Sequence, residues 1–352
     1  MMNRRERLMA TIRGEAVDRP AVSFYELNGI DQMPESADPF HVYTHPSWRP
    51  LIELAREKTD IILIRPVPFV GADDGSREAP ERGDADLVWN PRVGSEGTAQ
   101  QTETHYENGN RCITTTLRVP GRVLTMRTRQ DPDIHTVWTV EPLLKDIEDF
   151  RAWLDLPEHE PFGRPDVSRA LEDERRLGED GIVMIDTPDP LCLVAPLFSM
   201  EEYTVLALTE QKLFHWALAK CARQLYPKVE AVAKALPGRL WRIYGPEYAS
   251  PPYLPPSLFS EYVVQYVGPM VETIHRHGGY ARIHSHGKLR QILDFIAATG
   301  CMGLDPIEPP PQGDVELAYV QGAMTSRSAL CPNPTCRTCA SPPHNSASVK
   351  AL

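Results

Sequence analysis

The sequence predicts an α/β chain, a (β/α)8 barrel that carries a small antiparallel β insertion. Three observations lead there. Apolar segments of strand length alternate with segments of helical periodicity from about residue 3 to residue 320. Between about Gly97 and Val140 that rhythm gives way to Thr/Val/Ile-rich runs separated by Asn108-Gly109 and Pro120-Gly121, which are strong turn formers. A chain of 352 residues with 41% hydrophobic and 24% charged residues is also large enough for one sizeable core or two modest ones.

The elements follow in order. Residues 3–14 read as a helix, Ala21–Glu26 as a strand, Trp48–Lys58 as a helix and Asp60–Ile64 as a strand. After the two hairpins of the insertion come helices at 142–154, 166–177 and 209–236, with strands at Ile182–Asp186 and Arg239–Tyr244. Residues 257–274 place Leu258, Phe259, Tyr262, Val263, Tyr266, Val267, Met270 and Ile274 on one helical face, the mark of a helix packed on a core. Tyr280–Ile283 and Met302–Ile307 are the last apolar runs.

A net charge of −11 and the absence of a basic run argue against a nucleic-acid partner. No window approaches 18 uninterrupted apolar residues and the N-terminus is a charged helix pattern, so neither a membrane span nor a signal peptide is expected, and the chain reads as cytoplasmic. Seven scattered cysteines (112, 192, 221, 301, 331, 336, 339) suit reduced thiols better than a disulfide framework. Residues 1–320 form the barrel; residues 321–352 hold no acidic or aromatic residue, although the chain has 48 Asp and Glu, and read as a disordered or frame-shifted tail.

The chemistry concentrates at His284-Ser-His286-Gly287. Two imidazoles two residues apart at a strand end point to one side, where both can reach a single metal ion. Glu247, after the strand Arg239–Tyr244, is the third ligand expected at the same rim. The competing reading leaves the histidines in ordinary hydrogen bonds and Glu247 ordering its loop. Glu308 is a fourth ligand, a partner that holds a histidine tautomer, an acid for the substrate, or a carboxylate that fixes the proline-rich turn. His275 and His277, at a helix C-terminus before Gly278-Gly279, read as surface residues. Asp60 and Asp186, at strand ends, are positioned to face a pocket, with no chemistry that requires them. Cys331, Cys336, Cys339 and His344 have the spacing of half a zinc knuckle but lack an apolar stretch to fold around it.

Taken together, the opening Asn3–Pro20, the segment Gly245–Pro252, the His284-Ser-His286-Gly287 run and Gly300–Asp314 resemble the uroporphyrinogen decarboxylase superfamily, and within it the zinc-dependent methyltransferases that exchange methyl groups with corrinoid proteins. The resemblance runs from about Asn3 to Val320. It implies a barrel whose last one or two strand-helix units follow Asp314, so that the chain lacks them if the text ends at Val320. It also implies that His284 matches the histidine of a His-x-Cys ligand pair, that His286 replaces its cysteine, and that a further cysteine ligand belongs to the C-terminal region.

The function implied is zinc-dependent methyl transfer between a small methoxylated or thiol substrate and a corrinoid partner protein, with Glu247 and Glu308 at the reacting centre. Replacing a thiolate by a neutral imidazole leaves zinc more electrophilic, which favours an ether or alcohol oxygen over a thiol. The alternative is decarboxylation of uroporphyrinogen. That substrate bears eight carboxylates, and the chain has no Arg or Lys between Arg19 and Arg49, the expected loop reading Glu26-Leu-Asn-Gly-Ile-Asp31. A third reading is a non-catalytic remnant that binds a partner.

Overall fold

A computed structural model describes residues 1–24, 38–41, 43, 45–70, 98–132, 134, 136–157 and 163–320. The expected acidic loop Glu26–Asp31, the last two residues of the strand Ala21–Glu26 and the whole tail 321–352, with its Cys331, Cys336, Cys339 and His344, lie outside the described residues.

The chain opens on α1 (Arg4–Ile12), which begins where it does because Asn3 and Glu6 cap each other's backbone N–H groups. Next come α2 (Arg49–Lys58), β1 (Ile61–Arg65) and the short β2 (Phe69–Val70). The insertion follows as β3 (Ala99–Glu107), β4 (Asn110–Val119), β5 (Arg122–Gln130) and β6 (Val137–Glu141), one antiparallel sheet in chain order. Both expected turns are present: Asn108 and Gly109 adopt φ of 52° and 84°, and Gly121 adopts 78°. Leu117, Val119 and Leu124 turn one face of this sheet onto Phe150 and Trp153 of α3 (Ile147–Leu154) in the main core, and Arg122 pairs with Asp149 at the same seam. The helix expected from 142 starts only at 147, where the Asp146 carboxylate accepts the Asp149 N–H at 2.7 Å.

The strand β7 (Arg164–Pro165) pairs with β2 and leads to α4 (Ser168–Leu177), β8 (Gly181–Pro188), α5 (Pro190–Val194), α6 (Met200–Thr209), α7 (Gln211–Ala235) and β9 (Leu240–Tyr244). The helix expected over 257–274 is α8 (Pro256–Phe259) and α9 (Gln265–Arg276) joined by a π turn over Ser260–Val264. Last come β10 (Tyr280–His284), α10 (Leu293–Ala298) and β11 (Gly303–Asp305).

The central sheet is parallel, in the order β1-β8-β9-β10-β11, with helices as crossovers. Among the described residues five strands stand where eight were expected, with β1 and β11 at the edges of the sheet. Part of the reason is local. Residues 21–24 form no strand: the Asp60 carboxylate takes the Val22 N–H at 2.9 Å, and the Asp60 N–H to Val22 carbonyl bond, at 2.7 Å, resembles a ladder rung.

Register divides one face of the sheet into rows. Ile62 and Ile182 form the first, and Ile64, Met184, Leu240 and Tyr280 the second; α1 covers both with Leu8 and Ile12. Asp186, Arg242, Arg282 and Gly303 form the third, and Pro188, Tyr244, His284 and Asp305 the fourth, at the C-terminal ends of the strands. Leu63, Val183, Ile185, Trp241, Ile243, Ala281, Ile283 and Leu304 point the other way, into the large core formed with the helices. Among the described residues no single helix is long and apolar enough to cross a membrane.

Asp60 does not face a pocket. It is fully buried beneath the sheet, 2.7 Å from Arg7 and 2.9 Å from Arg19, and ties the N-terminal segment to β1. Removing it leaves the buried Arg7 guanidinium with only Asp18 and the Met2 carbonyl, so Asp60→Ala should lower stability by about 3 kcal/mol, read as a fall in the urea midpoint. An unchanged midpoint would show that the segment does not depend on this carboxylate.

Candidate metal centre at the sheet rim

Every group of the candidate centre stands on the fourth row or just beyond it. His284 ends β10 and is buried; His286 lies two residues on and is half-exposed. Their rings are 4.7 Å apart and nearly perpendicular, and the two Nε2 atoms face each other at 3.1 Å.

Each Nδ1 meets a carboxylate. His284 Nδ1 is 3.1 Å from Asp305 Oδ2, and His286 Nδ1 is 3.1 Å from Glu308 Oε1. An ionised carboxylate only accepts hydrogen bonds, so each Nδ1 is placed to donate to its carboxylate, which turns the two Nε2 atoms toward each other. Their 3.1 Å separation is that of a hydrogen bond between the rings, and it is also close to the spacing of two nitrogens on one metal ion. Zinc–nitrogen bonds of about 2.0–2.1 Å at a tetrahedral angle separate two ligand nitrogens by about 3.3–3.4 Å, so a few tenths of an ångström of opening would admit the ion.

The carboxylates are themselves held. Asp305 is the register partner of His284, and its other oxygen lies 2.9 Å from Arg282 Nε. Gly303 makes room for that arginine, since a Cβ there would lie 3.2 Å from Arg282 Cγ. Glu308 accepts the Gly287 N–H at 2.9 Å. Partial burial raises its pKa, but the Gly287 and His286 hydrogen bonds together outweigh that and hold it below the usual glutamate value. Of the roles open to Glu308, the geometry is that of a carboxylate holding a histidine tautomer.

Glu247 does not join the pair. It sits on the turn Pro246–Ala249 beyond β9, and its carboxylate accepts the Gly245 N–H at 3.0 Å. Groups of three metal-type donors converging within 4.8 Å among the described residues comprise His105, Glu107 and Cys112, not His284, His286 and Glu247. Gly245 is required where β9 ends: its φ is 116°, and a Cβ would lie 2.3 Å from Cys192 Cβ. Below it Asp189 caps α5 through the Cys192 N–H; burial, with Glu247 adding to it, pushes its carboxyl well above the usual range. Asp186 is a bidentate partner of Arg242, at 2.7 and 3.0 Å, so both of its oxygens are engaged.

Sequence reasoning missed Asp305. The signal was a single charge inside the apolar run Met302–Ile307, but only register shows that it faces His284.

No family model matches the chain, and no curated protein matches it. Among solved structures, a methyltransferase from Methanosarcina mazei is similar at 17% sequence identity and a TM-score of 0.48, over 86% of this chain and 76% of that one. At that distance the likeness assigns neither activity nor site.

His275 and His277, expected at the surface, are partly exposed. His277 Nε2 lies 2.7 Å from Glu230, and burial pushes the His275 imidazole below its ordinary value. A folded state that resists protonation is stabilised above the unfolded histidine pKa of about 6.5 and loses that contribution as pH falls through it. Between pH 7 and about pH 5, His275→Gln should therefore lose less stability than the unaltered protein, measured as urea midpoints at several pH values. Parallel pH profiles would show that the His275 ring does not resist its proton.

Proposed function

We propose that the chain is a zinc-dependent methyltransferase that moves a methyl group between a small methoxylated (or thiol) substrate and a corrinoid carried by a partner protein. One observation carries the metal half of this reading: two Nε2 atoms 3.1 Å apart, each on a ring whose Nδ1 is held by a carboxylate. The methyl-transfer half rests on the resemblance of Gly245–Pro252, His284–Gly287 and Gly300–Asp314 to corrinoid methyltransferases.

In this proposal His284 and His286 hold zinc. Glu247, three residues beyond the register partner of His284, exchanges the Gly245 N–H for the ion as third ligand. Zinc supplies Lewis acidity to a substrate heteroatom. Asp305 and Glu308 keep the imidazoles in the ligating tautomer, and Arg282 keeps Asp305 in place. The donor set of two neutral imidazoles and one carboxylate has no thiolate, which favours an ether or alcohol oxygen over a thiol.

The purified chain should bind about one zinc at this centre, lost in His284→Ala and His286→Ala and weakened in Glu247→Gln. Asp305→Asn should weaken it about 10- to 100-fold, because the ring loses its orienting partner. With a reduced corrinoid protein and a panel of methoxylated and methylthio compounds, methylation of the corrinoid should appear in its absorption spectrum and stop on chelation. Release of carbon dioxide from uroporphyrinogen that survives chelation would replace this reading with the decarboxylase, and failure of both activities would leave a partner-binding remnant.

A further inference from the structure

The first hairpin of the insertion places three donors of different chemistry on one face. His105 on β3 and Cys112 on β4 are register partners, and Glu107 lies two residues from His105 on the same side. The two-residue turn Asn108-Gly109, with positive φ at both positions, locks this register, because a slip by one residue would send the donors to opposite faces. Their ligand atoms all lie within 4.8 Å of one another, and His105 Nε2 is already 3.0 Å from Glu107 Oε1.

Cys112 is the unusual member. It is 6% exposed yet belongs to neither hydrophobic cluster, and the even positions of β4 face away from the side on which Leu117 and Val119 pack. Its neighbours across the ladder are polar, His105 on one strand and Arg129 on the other. Arg129 pairs with Asp131 at 2.9 Å and lies over the Trp138 ring, which offsets its charge. Its thiol thus faces the same side as the His105 imidazole, where it is available as a ligand.

We propose that His105, Glu107 and Cys112 form a second metal site, for a zinc-class divalent ion, independent of the pair at the sheet rim. Thiolate, imidazole and carboxylate are the ligand types such an ion takes, and tetrahedral coordination separates them by about 3.4–3.6 Å, within reach of rotamer changes from the present positions. The chain supplies three ligands. The fourth position opens to solvent, since the His105 and Glu107 side chains are 42% and 57% exposed.

Cobalt(II) separates this site from the other, because only this one contains a thiolate. Titrated into the full chain, cobalt should produce thiolate-to-cobalt charge-transfer absorption. That band should persist in His284→Ala/His286→Ala and in Cys331→Ser/Cys336→Ser/Cys339→Ser, and vanish in Cys112→Ser. His105→Ala should weaken the binding that produces it by at least about tenfold. Glu107→Gln, at an exposed position that does not endanger folding, should weaken it as well. An absent band, a band that survives Cys112→Ser, a band that follows the tail cysteines, or unchanged affinity in Glu107→Gln would overturn the proposal. Loss of zinc from the sheet rim alone would leave it standing.

Discussion

The parallel register of β8, β9, β10 and β11 is the constraint on which the rest of the molecule depends. Because side chains alternate strictly, one register sorts the sheet into an apolar end under α1, a charged middle row and a row of His284, Tyr244 and Asp305 at the C-terminal ends. A slip of one residue on β10 would put Ile283 in place of His284 and move the imidazole into the helix-packed core. The position of the candidate centre at the C-terminal rim is therefore a consequence of strand pairing, as expected for parallel α/β sheets.

The charged row shows how a hydrophobic sheet tolerates ions. Asp186 neutralises Arg242 and Asp305 neutralises Arg282, so no charge is left isolated in a poorly solvated layer. Asp305 belongs to two rows at once. One oxygen meets Arg282 and the other meets His284, so the pair that makes the middle of the sheet neutral also orients the ring above it. Structural and chemical roles are coupled through a single carboxylate.

The insertion is built on different physics. Its register is set by local turns rather than by crossovers, and its core side is anchored on α3 through Leu117, Val119 and Leu124. That leaves the opposite face free to carry Thr, Glu, His and Arg side chains, and the donors at the hairpin tip sit on that face.

Local patterns reached most of the elements. The strand-helix alternation, both hairpin turns, the helix ending near Arg276 and the His284/His286 spacing were legible in the sequence, because each depends on side chains a few residues apart. Long-range pairing was not. The strand expected at Ala21–Glu26 has no strand ladder over its described residues because the Asp60 side chain satisfies Val22, and the described residues supply five strands of the parallel sheet. Glu247 looked like a ligand by position, but it is drawn to the Gly245 N–H two residues away. Asp305 and Glu308 acquire their roles only when β11 lies beside β10 and the turn after it returns to His286, contacts spanning 21 and 22 residues. The sequence alone determined that two imidazoles stand two residues apart where a strand ends; the tertiary structure decided which carboxylates hold them, because that depends on strand register and loop return, which no local spacing encodes.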